Sequence, residues 1–259
     1  MNFFFFLNHD DSELQFECDV FNFPSAKHLS KYDSIDRLII GYFSDGLRWH
    51  SKIIADIKAE DSITINKNDL PGLFKEKSVI FSLYPKSDYN LDNIHILKNI
   101  KSTPAWRCNT RVKSIKTSTS YQGEFPSAFF KRKLSLVSCS PMLQFDEEFE
   151  NYLYLANFTE NPEISDFSLN CHNNSGISKD FTFKTNQVNK INLNNLMQGN
   201  KSNFLISKSK EHGGIPIYFT KSKDNSSMSL EHTHPPTEYI FLGERFYFQK
   251  KKKEFYFDK

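Results

Sequence analysis

Short apolar or alternating segments separated by polar turns make up most of the chain. Residues 14–20 alternate between apolar and polar side chains, and a period of two is typical of a strand with one buried face. Residues 3–7 and 38–43 are continuous apolar runs of strand length, and residues 152–158 also have the composition of a strand. The intervening turns are rich in Asn, Ser, Gly and Pro, and no amphipathic helix of three turns is evident. This pattern predicts an all-β protein of sandwich or barrel type.

Internal repetition is the second pattern. Seven short matches follow one order in the two halves: 14–16 with 143–145, Gly46 with Gly176, 63–66 with 191–194, 78–81 with 202–205, 104–106 with 216–218, 118–120 with 227–229, and Pro126 with Pro235. A unit of this length is a domain and not a solenoid repeat. The predicted fold is therefore two tandem, internally duplicated antiparallel β-sandwich domains, at residues 1–128 and 129–259. The first copy carries an insertion at about 88–102, and the second ends in a short β tail from about 239.

Charge is balanced overall but unevenly distributed. The chain has 33 Lys and Arg against 31 Asp and Glu, so net charge gives no argument for nucleic-acid binding. Residues 98–133 contain nine basic residues and one acidic residue, whereas residues 134–178 contain no Lys or Arg. Two ordinary solvated surfaces explain this pattern, and electrostatic docking of domains or protomers is the sharper alternative.

A predicted strand at 105–115 has one apolar and one basic face. Trp106, Cys108, Thr110 and Val112 fall on one side of the alternation, and the other side contains Arg107, Asn109, Arg111 and Lys113. An edge strand protected by charge would show this pattern. The functional interpretation is an anion-binding surface formed by Arg107, Arg111 and Lys113, which would contact phosphate, a polyanion or lipid headgroups.

Three residues near the C-terminus have metal-ligand spacing. His232, His234 and Glu238, here called the histidine cluster, resemble the first cupin motif, in which HxH is followed by a carboxylate. Imidazole ligands suit a divalent transition metal such as Zn, Fe, Ni or Cu. Pro235 and Pro236 depart from that motif because they should interrupt a strand. The alternative is an exposed pair of loop histidines and a protein with no cofactor.

Aromatic runs and lysines alternate in the tail. Residues 239–242, 246–248 and 255–257 are apolar, and Lys250–Lys253 separate the last two runs. In the repeat, residues 245–248 correspond to residues 133–136, where the second copy begins. They would therefore be the first strand of a third unit that does not exist. This orphan strand is expected to pair with a partner or another protomer, which makes a homo-oligomer or a structural subunit a third possibility.

The N-terminus and the cysteines bear on the compartment. The start MNFFFFLNHDD has a short apolar run without a preceding basic region, which is too short for a signal peptide or a transmembrane span. Four cysteines lie far apart without CxxC spacing. These features favour a cytoplasmic protein with reduced thiols.

Residues 38–83 resemble the sensory rhodopsin transducer family. The elements that carry the resemblance are, in order, Tyr42-Phe43-Ser44-Asp45-Gly46, residues 53–59, Asn68-Asp69-Leu70, Ser78-Val79-Ile80 and Lys86-Ser87-Asp88. The second half keeps Gly176, residues 181–183 and Asn194-Asn195-Leu196. The resemblance implies a small intracellular β-sandwich that binds partners, often as an oligomer, without catalysis.

The function expected from these features is non-enzymatic binding by two similar β-sandwich modules. The ligand would be a protein, a polyanion or a glycan, held by loops at the sandwich ends or by the basic strand. A metal-dependent enzyme or sensor at the histidine cluster is the alternative, and assembly through the C-terminal strand is the third reading.

Overall fold

The computed structural model describes residues 2–7, 11–23, 35–88, 108–122, 125–126, 135–139, 147–173, 178–194, 205–209 and 214–232. These residues are mostly β-strand, with three short 3-10 helices at Lys67–Asp69, Gly72–Lys75 and Lys86–Asp88. All strand pairs in them are antiparallel. The prediction of an all-β chain is confirmed. The predicted insertion beyond Asp88 and the tail from 239 lie outside the described residues.

The chain divides into two compact units. Unit 1 comprises Met1–Ser127 together with Glu160–Ile164, and unit 2 comprises Ala128–Thr159 and Ser165–Lys259. Each unit contains two antiparallel sheets.

Nine strands form the sheets of unit 1. Sheet A has the order β4-β3-β6-β1-β9 and sheet B the order β5-β2-β7-β8. The strands are β1 Asn2–Phe5, β2 Gln15–Phe21, β3 Arg37–Ser44, β4 Trp49–Ile57, β5 Ser62–Asn66, β6 Ile80–Pro85, β7 Cys108–Lys113, β8 Ser118–Gln122 and β9 Phe125–Pro126.

Eight strands form the sheets of unit 2. Sheet C has the order β13-β12-β15-β10 and sheet D the order β14-β11-β16-β17. The strands are β10 Ser135–Cys139, β11 Phe149–Asn157, β12 Asp166–Asn173, β13 Ser178–Lys184, β14 Gln187–Asn192, β15 Leu205–Ser209, β16 Ile215–Ser222 and β17 Met228–His232.

The two units share one strand order. Adding nine to each number converts β4-β3-β6-β1 of sheet A into β13-β12-β15-β10 of sheet C, and β5-β2-β7-β8 of sheet B into β14-β11-β16-β17 of sheet D. The two-residue strand β9, which pairs with β1, extends sheet A by one strand.

Matching side-chain caps fix the correspondence between the units. The Asn66 side chain accepts a hydrogen bond from the Asn68 backbone N–H at 3.0 Å, and Asn192 accepts one from Asn194 at 2.8 Å. Each cap closes the turn after the equivalent strand, β5 or β14. Asn192 is therefore the equivalent of Asn66 by these hydrogen bonds. The sequence match instead aligns Asn66 with Asn194, two residues later.

The cores follow the predicted alternation. Phe16, Cys18 and Val20 on β2 are buried, and the Cys18 thiol donates to the Phe5 carbonyl oxygen of sheet A at 3.6 Å. In unit 2 one hydrophobic cluster joins residues of both sheets: Leu153, Leu155, Phe167, Leu169, Phe183, Leu193 and Tyr218. The faces turned toward these cores supply the apolar burial that drives folding.

Candidate functional site

Strand β7 has the two faces that the sequence predicts. Cys108, Thr110 and Val112 are buried, whereas Arg111 is half-buried and Lys113 is exposed on the other side of the strand. Arg107, the third residue of the predicted anion site, lies outside the described residues. The structure therefore brings two of the three predicted residues to one face of sheet B.

Two carboxylates from the neighbouring strand hold the Arg111 guanidinium. Glu17 lies directly opposite Arg111 in the β2–β7 ladder, and the Glu17 Oε2 atom is 3.0 Å from Arg111 Nε. Arg111 Nη2 donates to Asp19 Oδ1 at 2.6 Å. Thr64 on β5 donates to the same Asp19 oxygen at 2.7 Å. Opposite charges on facing strands stabilise a sheet modestly, so this arrangement has a structural role of its own.

Lys113 also faces a carboxylate. Its Nζ lies 3.4 Å from Glu17 Oε1, and Glu17 is only 6% exposed. The face thus sets two cations against two carboxylates, and an incoming anion would have to compete with Glu17 and Asp19. Lys113 is the more available of the two cations because nearly half of its side chain is exposed.

The histidine cluster lies at and beyond the end of the described part of unit 2. His232 is the last residue of β17 and stands opposite Ile217, while His234 and Glu238 lie outside the described residues. Within the described ranges no group of three or more His, Cys, Asp or Glu side chains is placed to hold a metal ion. Metal binding by the histidine cluster therefore stays a prediction.

Three loops of unit 1 lie at the same end of its sheets. They are the β3–β4 turn at 45–48, the β5–β6 connection at 67–79 and the β7–β8 turn at 114–117. Lys113 and Asn66 both lie at the end of sheet B where β2 begins, and Tyr42 pairs with Ile80 at the matching end of sheet A. The ring of Phe74, from the β5–β6 connection, packs edge-on against Phe43 of β3 at 4.7 Å. We call these three segments the loop end of unit 1.

Each loop of the loop end presents one exposed aliphatic side chain. Leu47 is 88% exposed, Leu73 is 61% exposed and Ile115 is 99% exposed. Exposed basic residues lie within two positions of each, namely Arg48, Lys75 and Lys116. These three residues were not predicted as a site from the sequence, although an apolar residue inside a polar turn, as in Gly46-Leu47-Arg48, was the available signal.

Side-chain hydrogen bonds hold the Leu47 turn in shape. The Asp45 Oδ1 atom accepts from the backbone N–H groups of Leu47 at 2.9 Å and Arg48 at 2.8 Å. Gly46 has φ +94°, a left-handed conformation that glycine adopts without a steric penalty. Leu47 is therefore displayed on a pre-shaped turn.

His50 completes this turn on its other side. Its Nε2 lies 2.5 Å from Asp45 Oδ2, and its ring stacks on Phe43 at 4.9 Å between centroids. The hydrogen bond from His50, followed by those from the Arg48 and Leu47 backbone, holds the pKa of the Asp45 carboxyl well below its usual range. The turn is thus tied together by an ionised Asp45.

The Ile115 turn uses the same principle with a serine. Ser114 Oγ accepts from the backbone N–H groups of Lys116 and Thr117, both at 3.1 Å. The Ser114 N–H donates to the Thr117 carbonyl oxygen at 2.8 Å. Side-chain bonds of this kind mimic a backbone turn, so Ile115 also extends from an ordered loop.

Helices give no sign of a membrane span, since none in the described part of the chain is long and apolar enough to cross one. No protein-family model, curated protein or solved structure matches the chain. The resemblance to the sensory rhodopsin transducer family accordingly stays a prediction, and the case for function depends on the surfaces described above.

Proposed function

We propose that this protein is an intracellular binding protein that recognises a partner protein through the loop end of unit 1. The observation that carries the proposal is the exposure of Leu47, Leu73 and Ile115 on three loops at one end of unit 1. Aliphatic side chains scattered singly over a surface need no explanation. Among the large hydrophobic side chains of the described residues, the three that are more than 60% exposed all belong to the loop end.

The chemistry of the loop end indicates the kind of partner. Complete burial of a Leu or Ile side chain contributes about 1.5–3 kcal/mol, so three of them could anchor a protein interface in the way that a few central residues usually do. Because the turns of Leu47 and Ile115 are already ordered, less conformational entropy is lost on binding. Arg48, Lys75 and Lys116 would favour a partner surface that is apolar at its centre and acidic at its rim.

The two units are further proposed to be β-sandwich modules that arose by internal duplication. Identical strand order in sheets A and C and in sheets B and D supports this proposal, as do the equivalent caps at Asn66 and Asn192. Buried thiols at Cys18 and Cys108 support a reducing, cytoplasmic location.

Substitution at the loop end tests the proposed function. The protein carrying Leu47→Ser and Ile115→Ser is compared with the wild type in quantitative co-purification from cells, and each protein lost from the double variant is then purified and titrated directly. The matched control is Phe23→Ser, because Phe23 is 49% exposed but follows β2 at the opposite end of unit 1.

The proposal would be supported by a partner that binds the double variant at least tenfold more weakly than the wild type. The same partner should bind Phe23→Ser with the affinity it has for the wild type. Unchanged thermal melting of both variants would show that they fold alike. Partners that bind the double variant and the wild type equally well would refute a role for the loop end in recognition.

A further inference from the structure

Lys221 of β16 is a buried lysine. Only 4% of the residue is exposed, and a lysine is almost never fully buried unless its ammonium group is paired. Its Nζ lies 3.0 Å from Glu150 Oε2 and donates to Asn225 Oδ1 at 3.0 Å. Glu150 stands directly opposite Lys221 in the β11–β16 ladder, and Asn225 belongs to the turn that joins β16 to β17. An amine, a carboxylate and a carboxamide therefore lie in contact.

The carboxamide of Asn225 is held close to the amine. Asn225 is 3% exposed, and its backbone has φ 57°, a left-handed conformation that Asn adopts more readily than most residues. Because a carbonyl bond is about 1.23 Å long, Lys221 Nζ lies within about 4.2 Å of Asn225 Cγ. Atoms react from a separation of about 3–3.5 Å, so a small rotation of either side chain brings the amine to the carboxamide carbon.

Glu150 is placed to move protons for this pair. The Oε2 atom that faces Lys221 also accepts a hydrogen bond from the Tyr152 hydroxyl at 3.0 Å, which orients the carboxylate. The Glu150 side chain is 32% exposed whereas that of Lys221 is 5% exposed, so the carboxylate connects the buried amine with solvent. A carboxylate within hydrogen-bond distance of a reacting group can act first as general base and then as general acid.

The competing reaction of Asn225 is disfavoured in this turn. An Asn side chain followed by a small residue is ordinarily attacked by the backbone nitrogen of that residue, which forms a cyclic imide. Here the Ser226 N–H donates to Ser222 Oγ at 3.0 Å and to Asp224 Oδ1 at 3.1 Å. Both bonds engage the proton that this nitrogen must lose before it can attack, so the geometry favours Lys221 as the nucleophile.

Unit 1 has a corresponding turn without the reactive groups. Lys113 stands opposite Gln15, as Lys221 stands opposite Glu150, so a neutral amide replaces the carboxylate. Residues 114–117, which follow Lys113, contain no Asn, and 47% of the Lys113 side chain is exposed. The two turns therefore form an internal comparison, in which only unit 2 combines the amine, the carboxamide and the carboxylate.

We propose that Lys221 and Asn225 form an intramolecular isopeptide bond, with Glu150 as the general base and general acid. The Glu150 carboxylate takes a proton from Lys221 Nζ, and the neutral amine attacks Asn225 Cγ. The Cγ–Nδ2 bond then breaks, and its electron pair stays on the nitrogen. Nζ gives up two of its three protons, which leave with Nδ2 as ammonium, and Glu150 returns to the carboxylate form. The product is an amide between Nζ and Cγ, formed without an oxidant, a cofactor or a second substrate.

Mass spectrometry of the full-length protein tests this proposal. The folded wild type is incubated, denatured, acetylated and digested with chymotrypsin, which cleaves after aromatic residues and leucine and so releases residues 220–230. This peptide is expected to have lost one molecule of ammonia and to carry no acetyl group on Lys221. A cyclic imide at Asn225 would lose the same mass but leave Lys221 open to acetylation. Lys113 is the internal control and should be acetylated in a peptide of full sequence mass.

Two variants test the role of the carboxylate. Glu150→Gln keeps an acceptor for Lys221 but cannot take its proton, so the cross-linked fraction should fall at least tenfold. Glu147→Gln makes the same change at an exposed carboxylate three positions away and should leave that fraction unchanged. Equal cross-linking in Glu150→Gln and the wild type would overturn the role of Glu150.

The wild type alone decides whether the bond forms, so the test does not depend on the folding of any variant. A wild-type peptide 220–230 of full sequence mass with Lys221 acetylated would overturn the proposal. Ammonia loss that persists in Lys221→Arg would also overturn it, because the lysine amine would then not be the nucleophile.

Discussion

Asn22 joins two connections of unit 1 at the end opposite the loop end, and replacing it with alanine should destabilise this unit strongly. The Asn22 side chain is 1% exposed, and its Nδ2 donates to the carbonyl oxygens of Ile35 at 2.9 Å and Lys58 at 2.8 Å. Its Oδ1 accepts from Arg37 Nη1 at 2.5 Å. Arg37 is itself only 2% exposed, and burial lowers its pKa to about 10.

The expected loss follows from these three bonds. A neutral hydrogen bond contributes about 0.5–1.5 kcal/mol and one to a charged group about 1.5–3 kcal/mol, and a buried partner left unsatisfied adds to the cost. Arg37 also donates to the Ile35 carbonyl oxygen at 3.2 Å, which offsets part of the loss. We therefore expect Asn22→Ala to lower the free energy of unfolding by about 3 kcal/mol. With a urea m-value of about 2 kcal/mol/M, the midpoint should fall by about 1.5 M.

Tryptophan fluorescence is a suitable assay because both tryptophans, Trp49 and Trp106, lie in the part of the sequence assigned to unit 1. Asn66→Ala is the matched control, since Asn66 makes a single cap hydrogen bond to an exposed backbone N–H and should cost about 1 kcal/mol or less. A midpoint for Asn22→Ala no lower than that of Asn66→Ala would refute the argument that the buried network stabilises unit 1.

Three further outcomes are expected. The folded-state pKa of Asp45 lies below its unfolded value, so its contribution to stability is present above about pH 4 and is lost as pH falls further. Acid titration followed by fluorescence should therefore show a larger loss of stability for the wild type than for Asp45→Asn. Equal losses would contradict the contribution of the ionised Asp45 carboxyl. A β-carbon at Gly214 would lie 2.5 Å from Leu155 Cδ1, so Gly214→Ala should cost about 1–3 kcal/mol and lower the calorimetric melting temperature, whereas an unchanged value would show that Leu155 moves aside freely. Elemental analysis should find near-stoichiometric transition metal if the histidine cluster binds one, lost when both of its histidines become alanine; no metal in either protein would remove that alternative.

Period-two patterns predict half-buried strands because burial of one face is a local property of the sequence. Strands β2 and β7 were predicted from alternation alone, and the buried residues Cys18 and Val112 lie on the predicted faces. The internal duplication stays a prediction: the two units share one strand order, but the matched residues 143–145 lie before β11, which begins at Phe149. The correspondence at Asn66 is two residues off because a shift of two leaves every side chain on the same face.

Cross-strand partners could not be deduced in this way. Arg111 was predicted to be available to an anion, but its partner Asp19 is 92 positions away in the sequence, and only the β2–β7 register brings them together. The face of β7 is basic when this strand is considered alone. In the folded sheet, Glu17 and Asp19 of β2 balance the charges of Arg111 and Lys113.

The sequence by itself determined the secondary structure class and the inward faces of strands such as β2 and β7. Tertiary structure decided which loops share an end, and hence that Leu47, Leu73 and Ile115 all lie at one end of unit 1. It also decided that Tyr152 and Phe219 pair at the position where unit 1 pairs Glu17 with Arg111. Both decisions arise from pairing between distant strands, because the register between them depends on the whole packed unit and not on any one segment.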